Sequence, residues 1–191
     1  MNITGEANLL RGAKAFDMQY LGAIYDRYSP GLYAYSMRLL GDACLAEDCV
    51  AETFSRFLKA LRAGQGPDQH LQAYLYRIAH NWITDQYRRE PPPPLALEDD
   101  FAEQDGMRVE AQAGQHMQQE QVRAALRLLT PDQRQVIMLR FLEGWSIDDV
   151  AAAVDKPVSA VKALQHRALA ALRRYLLGEE KENNYAYDNG D

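Results

Sequence analysis

The stretch SIDDVAAAVDKPVSAVKALQHRALAALRRYLL, Ser146 to Leu177, decides the fold. Ser146 can accept from an orphan backbone N–H, so Ser146-Ile147-Asp148-Asp149 reads as a helix start. The short helix that follows carries Ile147, Val150, Ala151 and Val154, and a Lys156-Pro157 turn leads into a longer one. At 100° per residue, Val158, Val161, Leu164, Ala168, Leu172, Tyr175 and Leu176 share one arc of that helix. Lys162, His166, Arg167, Arg173 and Arg174 lie outside the arc, beside the small residues Ser159, Ala163 and Ala170. A short capped helix, a brief turn and a longer basic helix make the pattern of a helix-turn-helix. Small residues let a helix approach a duplex closely, and bases neutralise phosphates. The plainer alternative is a solvated basic face on a bundle helix.

Charge weighs between the two. The chain holds 21 Lys and Arg against 27 Asp and Glu, a formal net charge of −6. From Lys156 to Gly178 there is no acid at all, which leaves 16 bases facing 27 acids elsewhere. This concentration favours DNA as the partner of the long helix. The acidic remainder should repel free DNA, which argues against a duplex binder that works alone.

Upstream, Thr130-Pro131-Asp132-Gln133 combines a threonine cap, a first-turn proline and a glutamine three after the cap. Val136, Ile137, Leu139 and Phe141 follow as its apolar positions, with Gly144 as a stop, and a preceding helix ends in Val122, Leu126 and Leu129. Further back, Pro91 to Pro94 ends any helix and stiffens the chain, and Glu98, Asp99, Asp100, Glu103 and Asp105 come next. Residues 90–114 therefore read as an extended acidic linker.

Ahead of the linker, Met18, Leu21, Ile24, Tyr25 and Tyr28 keep three-four spacing. Ser29-Pro30 reads as the cap and first-turn proline of a second helix with Leu32, Tyr35 and Leu39, ending at Gly41. Asp42 caps a third helix, whose face runs through Leu45, Cys49, Thr53 or Phe54, Phe57 and Leu61. A loop over Ala63 to Asp68 precedes a fourth helix, from about Gln69 to Arg89, with Leu71, Leu75, Ile78 and Trp82 inside. The expected fold is all-α: two small helical domains, 1–89 and 115–177, joined by the linker and followed by an acidic tail, 178–191.

Several function classes drop out. Composition is that of an ordinary globular protein, 47% hydrophobic and 25% charged. No apolar run approaches the ~20 residues of a membrane span, and Met1 to Lys14 has no signal-peptide core, so a cytoplasmic location is expected. Cys44 and Cys49 point roughly 140° apart on a helix and are expected to be two small buried hydrophobes. Four scattered histidines supply no metal site. With no glycine-rich phosphate loop and no spacing that supports a nucleophile–base pair, neither an enzyme nor a cofactor is expected.

Two blocks of motifs then carry a resemblance. YDRYSPGLYAYSMRLLGD (25–42), AEDCVAETFSRFLKAL (46–61) and AYLYRIAHNWITDQYRR (73–89) form the first. LLTPDQRQVIMLRFLEGWSIDDVAAAV (128–154) and AVKALQHRALAALRR (160–174) form the second. In this order and spacing, from about residue 17 to 177, they resemble a bacterial sigma factor of the extracytoplasmic-function group, whose members direct RNA polymerase to promoters.

The resemblance implies partners: core RNA polymerase, through its β′ coiled coil and β flap region, and promoter DNA. It also admits an anti-sigma factor. Glu47, Asp48, Val50, Glu52 and Phe54 match the helix that docks on polymerase, with Ala51 in place of the usual glutamine. Tyr74, Tyr76, Arg77, Asn81, Arg88 and Arg89 fall in the region that grips the −10 element and helps to melt it. Aromatics among bases suit unstacked single strands. Trp82 sits at core spacing, which favours packing over stacking, and Tyr74 and Tyr76 stay open between the two. Asp85 is expected to partner an arginine.

Ser159, Lys162, Ala163, His166, Arg167, Arg173 and Arg174 would meet the −35 element. Leu164 stands where many members have arginine, and Asp155 and Pro157 replace the common glycine and serine of the turn, so base preference does not carry over. The acidic tail reads as disordered. Competing readings are a stand-alone helix-turn-helix regulator and a helical adaptor whose basic face meets an acidic protein.

Overall fold

Polar caps set the helix starts. In the computed structural model, which describes residues 5–89 and 119–176, Asp42 Oδ1 accepts from Leu45 N at 2.8 Å and Ser146 Oγ from Asp149 N at 3.1 Å. Thr130 and Gln133 form a reciprocal capping box, each side chain accepting from the other's backbone N–H. The linker 90–114, both domain boundaries beside it and the tail 178–191 lie outside the described residues.

The elements are α1 (Glu6–Lys14), α2 (Met18–Leu40), α3 (Ala43–Arg62) and α4 (Leu71–Arg89), then α5 (119–127), α6 (Pro131–Ile137), α7 (Ile147–Val154) and α8 (Val158–Leu176). A π-helical turn, Met138–Leu142, extends α6. There is no strand among the described residues. Ile24, Leu32, Leu39, Cys49, Phe57, Leu71, Leu75 and Ile83 centre the N-terminal helices, and Val136, Met138, Leu139, Val150, Ala153, Val161 and Ala168 the C-terminal ones.

Three expectations need correction. The helix break at Ser29-Pro30 does not occur: α2 runs unbroken from Met18 to Leu40 with Pro30 inside it. An interior proline costs about 3 kcal/mol. Here Ile24, Tyr28, Leu32, Tyr35 and Leu39 form one buried stripe across Pro30, and burying each such side chain is worth about 1.5–3 kcal/mol. The stripe wins. The stop at Gly41 is real, with a left-handed φ of 74° and its N–H on Met37 O.

Second, Phe141 is 54% exposed instead of packed, while Met138 is fully buried. The π turn adds a residue, marked by Glu143 N donating to Met138 O at 3.0 Å, and this rotates Phe141 and Leu142 outward. Third, only Cys49 is buried; Cys44 is exposed at the first turn of α3.

The two helical groups pack on each other, which nothing in the sequence pattern foretold. Tyr76 of α4 and Trp145, just before α7, meet edge to face with centroids 4.8 Å apart. Gly31 makes room on the other side, since a Cβ there would lie 2.7 Å from the Tyr76 hydroxyl. Arg134 of α6 is 5% exposed; it donates to the carbonyls of Leu126 and Leu129 and lies over the Tyr87 ring of α4.

Candidate nucleic-acid interface

On α8 the buried arc is shorter than expected: its last members, Tyr175 and Leu176, are exposed at the end of the helix, as is Leu169. Val161 and Ala168 are fully buried and Leu164 is half-buried, whereas Ser159, Lys162, Ala163, His166, Arg167, Arg173 and Arg174 are all exposed. The turn that aims this helix depends on Asp155, whose φ of 54° and ψ of 48° are left-handed, with Lys156 N on Ala151 O. Lys156 then pairs with Asp132 at 3.2 Å, tying the turn to α6. The result is a helix that carries a positive, small-residue surface into solvent, the shape and charge that a major groove accepts.

On α4 the expected residues divide. Asn81, Arg88 and Arg89 are exposed, and Tyr74 is half-buried against Phe57 with the Arg77 guanidinium over its ring. Tyr76 is only 3% exposed, covered by Trp145, and burial pushes its hydroxyl pKa well up. Arg77 pairs with Asp155 at 3.5 Å. Trp82 is in the core, as its spacing indicated, and Asp85 pairs with Arg88 at 3.7 Å.

Sequence reasoning missed two α4 residues. His80 is 2% exposed, with Nδ1 2.7 Å from the Tyr35 hydroxyl and Nε2 2.9 Å from Pro131 O. Burial first, then the nearby Arg134 charge, lower its pKa to about 4. Tyr87 donates its hydroxyl to Leu39 O at 2.5 Å and receives Arg134 on its face. The available signal for His80 was its helical spacing, four residues after Tyr76 and seven before Tyr87, which puts the three on one face.

At the start of α3, Glu47 and Asp48 are exposed. Glu52 pairs with Arg56 at 2.8 Å, and that bond holds its carboxyl below the usual range. Val50 is 7% exposed and so supports the face from beneath. The Phe54 ring lies 4.9 Å from that of Tyr25, which is half exposed. An open groove of about 740 Å³ runs between Met37 and Arg38 on α2 and Val122, Arg123 and Leu126 on α5, with Leu142 beside it. Among the described residues no cluster could hold a metal ion, and no helix is long and apolar enough to cross a membrane.

An outward basic helix-turn-helix and a polar-aromatic helix on one chain are joined by matching comparisons. The family described as Sigma-70 region 2 matches residues 24–91, and Sigma-70, region 4 matches 119–172. The class is therefore that of transcription initiation factors, not enzymes. The chain is 32% identical over 166 residues to the ECF RNA polymerase sigma factor SigX of Bacillus subtilis, covering 82% of this chain and 84% of that one. It is 32% identical over 173 residues to the ECF RNA polymerase sigma factor BldN of Streptomyces coelicolor, covering 88% of this chain and 64% of BldN's length. The solved structure of CnrH in complex with the cytosolic domain of CnrY has the same fold, with a TM-score of 0.65 at 24% identity over 91% of this chain and 97% of that one. This chain belongs to the extracytoplasmic-function group of the sigma-70 family.

Proposed function

We propose that the chain acts in the cytoplasm, binds core RNA polymerase and directs it to promoters through two DNA contacts. The first domain, 1–89, makes the main polymerase contact. Glu47, Asp48 and Glu52 face a basic partner, the β′ coiled coil, and Val50 and Phe54 form the apolar floor. The second domain, 115–177, lies at the β flap and sets Lys162, His166 and Arg167 against base edges of the −35 element, with Ser159 and Ala163 allowing close approach. Arg173 and Arg174 hold phosphates. Tyr74, Tyr76, Arg77, Asn81, Arg88 and Arg89 hold the −10 strand once it is opened.

The observation that carries this reading is the exposed, acid-free face of α8 on a protein of net charge −6. Free duplex DNA is repelled by the rest of the chain, so the face works when polymerase brings it to DNA. An anti-sigma factor belongs to the same reading. CnrH was solved bound to the cytosolic domain of a second protein, and the groove between Met37 and Val122 offers a surface for such a partner.

The test is transcription with core polymerase, with and without this chain, from a library of genomic promoters. Stimulation restricted to a subset is expected. No stimulation on any of them would overturn the proposal.

A further inference from the structure

Three arginines gather where α4 meets the end of α5 and the start of α6, and two of them have no acid to answer them. Arg134 is 5% exposed and its guanidinium lies 4.7 Å from the centroid of the Tyr87 ring. Arg127 lies over the same ring at 5.7 Å. Among the described residues neither forms an ion pair with a carboxylate. The third, Arg88, is exposed and reaches Asp85 at 3.7 Å.

Their hydrogen bonds leave donors over. Arg134 gives Nε to Leu126 O and Nη2 to Leu129 O, and these carbonyls carry no net charge to set against its own. Its Nη1, with two further N–H groups, is buried without a partner among the described residues. Arg127 Nε and Thr84 Oγ1 are buried and unpartnered in the same way, and Thr84 is only 8% exposed. Unmet buried donors and an unpaired buried charge are both costly, and one anion answers both. Burial first, then the Arg127 charge, lower the Arg134 pKa, as expected of a cation held without a counter-charge.

Thr84, Arg127 and Arg134 wall one open pocket of about 240 Å³, which Tyr87, Arg88 and Pro131 complete. That volume is below the ~300–1,000 Å³ of sites for drug-sized ligands and suits a small anion. Guanidinium forks match the oxygens of a phosphate group in pairs. A neighbouring pocket of about 610 Å³ shares Thr84, Arg88 and Pro131. It is also lined by Asn81 and Gln135, whose buried Nε2 is unpartnered too, and gives room for a polar body attached to the phosphate. We propose that this pocket binds the phosphate or diphosphate group of a small phosphorylated solute, held by Arg88, Arg127 and Arg134 with Thr84. Thr84 and Arg88 come from α4, Arg127 from α5 and Arg134 from α6, so a bound anion stabilises the contact between the two helical groups. The site goes beyond the promoter reading and does not depend on it.

The test is isothermal titration calorimetry of the full chain with inorganic phosphate and with pyrophosphate, at an ionic strength held constant with chloride. Arg127→Gln removes one guanidinium at a half-buried position. Arg88→Gln removes one at an exposed position and keeps the test valid if Arg127→Gln fails to fold. Arg11→Gln, exposed on α1, removes the same charge outside both pockets. A pool of random single strands of about 12 nucleotides, the scale of one binding groove, is titrated alongside.

Pyrophosphate should bind saturably, one per chain, and more tightly than phosphate. Arg127→Gln and Arg88→Gln should each weaken it about tenfold, the scale of one lost charge-assisted hydrogen bond. Arg11→Gln should stay within about twofold of the parent, since exposed charges at a distance are screened. No saturable binding of either anion would overturn the proposal, and so would parent-like binding by the pocket variants. An equal loss in Arg11→Gln would also overturn it, by reducing the effect to net charge. If the single strands bind and lose affinity in the pocket variants while pyrophosphate does not bind, the arginines are a DNA contact and the proposal is wrong.

Discussion

His80 donates its Nε2–H to the carbonyl oxygen of Pro131 at 2.9 Å, and this bond fixes the tautomer of a buried ring. A carbonyl oxygen only accepts, so Nδ1 must accept from the Tyr35 hydroxyl on α2, 2.7 Å away. Arg134 and Asp132, both on α6, are the charged groups that face it. Burial and then Arg134 lower the pKa from 6.5 to about 4, and the Pro131 and Asp132 contributions only partly offset them.

Stability should therefore depend on pH with a definite sign. Between about 6.5 and 4 the unfolded chain binds a proton that the folded chain refuses, so stability falls as pH drops through that window and the loss levels off below it. The upper limit of the loss is about 3 kcal/mol. Urea midpoints measured across this range should fall less steeply in His80→Gln than in the parent. Identical slopes would show that the ring does not carry the effect.

Neighbouring residues on α4 should separate stability from DNA handling. Trp82 is buried, and Trp82→Ala is expected to cost about 3–5 kcal/mol in denaturant unfolding. Asn81 is exposed, so Asn81→Ala should stay within about 0.5 kcal/mol while lowering open-complex yield on a promoter the chain uses. Equal stability losses at both positions would contradict the orientation of this helix.

On α8 the expectation is a split between specificity and salt dependence. Arg173→Ala or Arg174→Ala should weaken promoter binding of the holoenzyme on all sequences and reduce its salt slope by about 1. Arg167→Ala should change which promoters are used, with about 1–3 kcal/mol of discrimination lost at one base position. Unchanged promoter choice in reconstituted transcription would remove Arg167 from base reading.

The acidic start of α3 can be tested by charge reversal. Asp48 is exposed, so Asp48→Lys should leave unfolding within about 0.5 kcal/mol of the parent. Affinity for core polymerase should drop, and drop most at low ionic strength, where surface charges are least screened. A loss that does not vary with salt would point to packing instead of charge.

Much of the architecture was legible because caps and periodicity are local. Asp42, Thr130 and Ser146 start the helices they were expected to start, and Gly41 and Gly144 adopt the left-handed conformation of helix stops. The basic face of α8 was legible for the same reason: a helical wheel needs only the spacing of one helix. Non-local packing was not. Pro30 is carried inside α2 by a stripe of contacts with other helices, and no local rule reports their strength. The burial of Tyr76 depends on Trp145, 69 positions away in the sequence. His80 and Arg134 look like surface residues by type; they are buried because each finds partners across the contact between the two helical groups.

The π turn at Met138–Leu142 acts as a phase shifter. Each residue of an ordinary helix advances the chain by about 100°, so an extra residue rotates everything after it by that amount. Trp145 and Glu143 reach α4 and α2 through this rotation, with Trp145 N anchored on Leu139 O at 2.9 Å. Orientation of the whole contact is thus written in the number of residues in one turn. A chain with every interface side chain intact but one residue fewer there would present the wrong face to its own first half.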